Sequence, residues 1–156
     1  MRLLIVFLAL LGIALPAAAG GPAIYERSAR LPADAAYTQL HDALESNGFY
    51  VIFEPNMGKS LAGMAEKLGA DYNRNQLTTM RSLVFCNPRI TNGIANADPA
   101  LLALCPLHFT LTHKEGVSTV YFVRPSVVAA GSPGEAQAQK LEADIVKLIE
   151  GVMHGE

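Results

Sequence analysis

Apolar and polar residues follow three rhythms along this chain. The first is an unbroken apolar run from Leu3 to Leu15. From Ile24 onward, two others take turns. Short apolar or alternating runs, rich in aromatic and β-branched residues, have the character of strands. They fall at Ile24–Arg30, Phe49–Phe53, Met80–Phe85, Leu107–His113 and Val117–Arg124. Between them, apolar positions recur every three or four residues, which puts them on one face of a helix. Tyr37, Leu40 and Leu44 form one such stripe. Met57, Leu61, Met64 and Leu68 form a second, read as the inward face of its helix, and Leu141, Ile145, Leu148 and Ile149 a third.

The breaks between these runs carry turn and cap chemistry. Pro32 and Asp34 open the first helix, and Asn47-Gly48 closes it, since glycine takes a left-handed C-cap at little cost. Asn56 can cap the second helix, and Gly69 ends it. Asp71–Gln76 reads as a polar loop. Asn87 suits an N-cap and Pro88 the first helical position; Asp98-Pro99 repeats the device before Leu101, Leu102 and Leu104. Lys114-Glu115-Gly116 joins two alternating runs as a hairpin. Gly131–Gly134 reads as a flexible link into a closing helix over residues 135–153. The order is β-α-β-α-β-α-β-β-α, which predicts a compact two-layer α+β domain with helices on a mixed or antiparallel sheet.

The first apolar run changes the reading of the rest. Arg2 is a positive start, Pro16 breaks the run, and Ala17-Ala18-Ala19 supplies small residues for a signal peptidase. Thirteen apolar residues fall short of the ~17–25 that cross a bilayer. Residues 1–19 therefore read as a cleaved signal peptide and 20–156 as one domain, periplasmic or secreted, with no membrane anchor after cleavage. The n-region has no arginine pair and the cleavage site no nearby cysteine, so general secretion is the route expected.

Removing nineteen of 156 residues leaves 137, about one domain, and moves the formal net charge from −2 to −3. That charge, the scattered basic residues and the lack of tryptophan argue against nucleic acid as a partner. No phosphate loop, haem-attachment CxxCH, CxxC, HExxH or Gly-x-Ser-x-Gly occurs.

Few residues offer chemistry. Cys86 stands where a strand hands over to a helix. It reads either as a reactive thiolate or soft ligand, or as a small apolar residue closing a buried strand. Cys105 could face it as a disulfide partner, as a close reduced thiol, or not at all. Asn87 and Pro88 read first as structural. His108 shares a strand face with Thr110 and Thr112; it is a surface residue if that face meets solvent, and a ligand or proton carrier if it lines a cleft. His41 and His154 read as surface residues, and Met57, Met64 and Met80 as packing.

Local motifs in residues 36–125 resemble a bacterial family of domains of unknown function, the DUF302 family. Gly48-Phe49-Tyr50-Val51 matches a Gly-Phe step into a strand, and Lys67-Leu68-Gly69 a helix end. Cys86-Asn87-Pro88 is the most specific match, followed by Ala95–Pro99, Leu101-Leu102 and a Cys/Pro step into a hairpin. Many members have Pro-Cys at that step, where this chain has Cys105-Pro106. The resemblance implies an α+β fold, often dimeric, with no settled activity.

Three functions compete. The first is a non-catalytic module that binds a small ligand or cofactor in a cleft or homodimer interface; non-covalent haem or a soft metal on Cys86, Cys105 or His108 is its cofactor form. The second is an envelope interaction or structural protein. The third is a thiol-redox enzyme using Cys86. The residues form no complete catalytic constellation of nucleophile, base and orienter, so no catalytic residue is assigned and the enzyme ranks last.

Overall fold

The structure is a computed structural model, and it describes residues 23–154. The signal segment 1–19 lies outside the described residues. Five strands, β1 (Ile24–Ala29), β2 (Tyr50–Phe53), β3 (Thr79–Cys86), β4 (Leu107–Lys114) and β5 (Val117–Val123), form one antiparallel sheet in the order β1-β5-β4-β3-β2. The helices are α1 (Ala33–Ser46), α2 (Met57–Ala62), α3 (Ala65–Leu68), α4 (Pro88–Ala97), α5 (Pro125–Val128) and α6 (Glu135–Val152). Short 3-10 turns follow α3 and α4. The fold is α+β, and the sheet is antiparallel throughout.

The core forms where the two periodicities meet. Tyr37, Leu40 and Leu44 of α1 and Leu141, Ile145 and Ile149 of α6 are all buried. They pack over the inward positions of the sheet, Leu83, Phe85, Phe109, Leu111, Val120 and Phe122. Phe49, Phe85, Phe109 and Phe122 run edge to face across it, with centroid separations of 5.8, 4.8 and 5.7 Å. Such contacts contribute ~0.5–1.5 kcal/mol each beyond their buried area. The hairpin turn forms as expected, with Glu115 and Gly116 both at positive φ.

Three expectations need correction. The stripe Met57-Leu61-Met64-Leu68 does not face inward: α2 and α3 contain no buried residue, and Leu61 and Met64 are 37% and 49% exposed. The second helix is broken between Ala62 and Ala65, so the two pieces cannot present one continuous face. Met64 is thus a surface residue, while Met57 and Met80 are half-buried, so none of the three lies in the core. Leu102 is also exposed, because the segment Pro99–Leu104 winds as a 3-10 helix and sends only Leu101 fully inward.

The third concerns Gly131–Gly134, which is pinned rather than flexible. Gly131 N–H donates to the Glu135 carboxylate at 2.8 Å, Ser132 Oγ to Asp98 Oδ2 at 2.6 Å, and Gly134 N–H to Ser132 Oγ at 3.0 Å. The Ser132 hydroxyl, with the Ala100 N–H, holds the Asp98 carboxyl below its ordinary pKa.

The helices α1 and α6 lie across one face of the sheet. The short helix α2 meets the sheet at β3, and the other face lies opposite both α1 and α6. Register places Ile24, Glu26 and Ser28 of β1 there, with Thr119, Tyr121 and Val123 of β5, and His108, Thr110 and Thr112 of β4. Ser82, Val84 and Cys86 of β3 complete it beside Tyr50 and Phe53 of β2.

Candidate functional site

The most specific sequence motif builds a corner at the end of the sheet. Cys86 is the last residue of β3 and pairs with Tyr50 across the sheet. The chain then turns directly into α4. Asn87 is in extended conformation, its Oδ1 accepts from Ile90 N–H at 3.1 Å, and Pro88 takes the first helical position. This satisfies one of the backbone donors that a helix start leaves unpaired. The capped first turn places Thr91 back over the strand end.

Thr91 Oγ1 lies 3.2 Å from Cys86 Sγ and 3.6 Å from Cys105 Sγ. Both cysteines are free thiols and both are half-buried. Cys105 reaches the corner from the other side, after the 3-10 segment, where its N–H donates to Leu102 C=O at 3.0 Å. The peptide from Cys105 to Pro106 is cis. The two cysteines are therefore neither bonded nor unrelated: they share one hydroxyl. Thr91 carried no sequence signal beyond its place four residues after Asn87 and five after Cys86.

His108 is exposed and pairs with Val84, one row from Cys86. It stands at the rim of an open depression of about 300 Å³ with Leu104, Pro106 and Val123. The hydrogen bonds of the two thiols run to Thr91 rather than to this imidazole. Among the described residues, no three His, Cys, Asp or Glu side chains converge in a way that could hold a metal.

A larger cleft of about 500 Å³ opens between the ends of α1 and α6 and the start of α4. Asn47, Phe49, Asn87, Ile90, Asp144 and Lys147 are among its lining residues. Asn87 thus caps α4 and faces this cleft as well. The cleft is walled by neither cysteine nor histidine.

Two polar clusters were not apparent from the sequence. Arg81 lies 3.5 Å over the ring of Tyr37, whose hydroxyl donates to Glu54 at 2.6 Å. Burial, reinforced by the Glu54 carboxylate, pushes the Tyr37 hydroxyl up to about 12. At the other end of the sheet, Arg124 Nε and Ser126 N–H donate to the two oxygens of buried Glu142, at 2.7 and 3.0 Å. Both clusters join elements distant in sequence and hold the helical layer to the sheet.

His113 is a further structural case. Ser118 Oγ donates to Leu31 C=O at 2.8 Å, which uses its only proton. The 3.0 Å contact between Ser118 Oγ and His113 Nδ1 must then be donated by the imidazole. That assigns the proton to Nδ1.

On comparison with known proteins, the family model described as "Domain of unknown function DUF302" matches residues 25–152. The match extends past both ends of residues 36–125. A search of the curated proteins finds no match. Among solved structures, the chain is similar to the crystal structure of an uncharacterized conserved protein DUF302 from Bacillus stearothermophilus. The TM-score is 0.73 at 14% identity, over 86% of this chain and 100% of that one. At that identity the likeness is one of fold.

Proposed function

This chain belongs to the DUF302 family, a family of domains of unknown function, and from that premise we propose that it is a non-catalytic binding module that docks through the face of its sheet opposite α1 and α6, first of all onto a second copy of itself. One observation carries the proposal: an apolar row crosses that face. Phe53, Val84, Val123 and Ile24 stand on four strands, with His108 as the one titratable member between Val84 and Val123. On β2, Phe53 is 64% exposed and Tyr50, on the same face, 55%. Large apolar side chains clustered at such exposure mark interaction surfaces.

The area suits a second copy. Five strands at ~4.8 Å spacing and ~3.4 Å rise per residue give a flat footprint of roughly 500 Å² before side-chain relief is counted. With side-chain relief counted, the footprint approaches the ~800 Å² that each partner gives to a standard interface. Leu61 of α2 and Met64, between α2 and α3, are further exposed apolar side chains. A face meeting its own copy is self-complementary about a two-fold axis. Pairing through the β2 edge is less suited, because Val51 N–H is already taken by the Glu45 carboxylate at 2.6 Å. An anionic cap of this kind blunts an edge strand.

Sedimentation across a concentration series tests the proposal. The expected result is a dimer that dissociates on dilution, and a monomer for Phe53→Glu with unchanged circular dichroism. A wild-type chain that stays monomeric at every concentration, or a Phe53→Glu dimer, overturns it.

A further inference from the structure

We propose that Cys86, Cys105 and Thr91 form a binding site for a thiophilic monovalent d10 cation, held between two thiolates beside the Thr91 hydroxyl. The proposal does not rest on dimer formation, although Cys86 stands at the end of the docking face. It rests on the convergence of two free, half-buried thiols from different elements on one oxygen, at 3.2 and 3.6 Å. A single hydroxyl carries one proton, so it can donate to only one of the two sulfurs at a time. The pair is thus preassembled around the hydroxyl without being bonded.

The donor set selects the ion. Thiolates are soft ligands and favour soft cations such as monovalent copper. Zinc in a structural site takes four ligands, and no third His, Cys, Asp or Glu joins this pair among the described residues. A cation satisfied by two sulfurs fits what the corner offers. Binding releases one proton from each thiol and forms two metal–sulfur bonds, leaving a complex of net charge −1. The ten-residue helix α4 starts just after Cys86, with Asn87 as its cap, and the positive end of its dipole favours negative charge there. The capped turn from Asn87 to Thr91 fixes that helix end relative to the strand, so the corner is rigid on the Cys86 side.

The experiment is anaerobic titration of the reduced full chain with monovalent copper, against a chromophoric copper chelator as competitor. The expected result is one copper per chain, with ultraviolet thiolate-to-copper absorption. Cys86→Ser and Cys105→Ser should each weaken binding by more than ~100-fold, since removing a ligand exceeds the 10–100-fold cost of losing an outer partner. Thr91→Val should cost ~10-fold. His41→Ala, on the distant face of α1, should bind as the wild type, and circular dichroism reports whether each variant folds. Absence of stoichiometric uptake overturns the proposal. So does uptake that survives both cysteine substitutions. A reduced chain that ignores copper but closes a Cys86–Cys105 disulfide with glutathione disulfide, releasing two glutathione thiols, reassigns the pair to thiol–disulfide exchange.

Discussion

Glu142 shows how a single side chain can make this fold sensitive to acid. Burial pushes its carboxyl pKa up, but donors from Ser126 and Arg124 outweigh that and hold the group below its ordinary value. The unfolded chain therefore binds a proton at higher pH than the native one does. The stabilisation is present above the ordinary glutamate range and is lost as pH falls through the lowered native value. Glu142→Gln should cost about 1–3 kcal/mol at pH 7 in urea unfolding, and the gap should narrow by pH 3. An equal gap at both pH values would sink this account. At this scale, local chemistry was the legible part. Asn56 and Asn87 cap as expected, since a cap needs only its own next three residues. Thr91, Arg81 and Glu142 were not legible, because their partners arrive from other parts of the chain. The separation of Cys86 and Cys105 was hidden for the same reason, and left three arrangements open.

At the scale of the element, helical spacing marks a face but does not say what covers it. Tyr37-Leu40-Leu44 of α1 found the sheet, and Leu141-Ile145-Ile149 of α6 found α1 and the sheet. Met57-Leu61-Met64-Leu68 has the same spacing, yet none of the four is fully buried, although α2 touches β3. All five strands were legible to within one residue or so, because alternation over a half-buried sheet leaves a strong trace. The turn into α6 was not legible. Its glycines and serine resemble a linker in composition, yet each is hydrogen-bonded in place. Gly134 also lies where a Cβ would come 2.6 Å from Leu101 Cδ1. Its φ of −94 suits any residue, so the constraint is space. Gly134→Ala should destabilise by ~1–3 kcal/mol, the usual cost of overpacking, measured as a lower denaturation midpoint. A neutral or stabilising result would show that Leu101 can move aside.

For the whole molecule, the α+β class and the order of its main elements were readable, and the fold is that of its family. The sheet order was not. Alternation gives each strand a buried side but names no neighbour; a mixed or antiparallel sheet was expected, and the sheet is antiparallel throughout. Export also belongs to this scale. If residues 1–19 direct it, the intact mass of protein recovered from the periplasm or medium should match a chain of 137 residues starting at Gly20. Recovery of the full 156 residues there would refute cleavage. Among the described residues, no helix is long and apolar enough to cross a membrane.

The strand order has a consequence for synthesis. Among the described residues β1 is the first strand made, and its one partner in the sheet is β5, with Ile24 opposite Val123. Every other strand of the sheet emerges before β1 can be bonded. Arg27 then closes the far side onto Met153 C=O at 3.1 Å, at the end of the last helix. A ribosome or a translocation channel that still holds residues 117–156 thus holds a polypeptide whose sheet cannot be finished. The topology itself delays completion of the sheet until β5 is free.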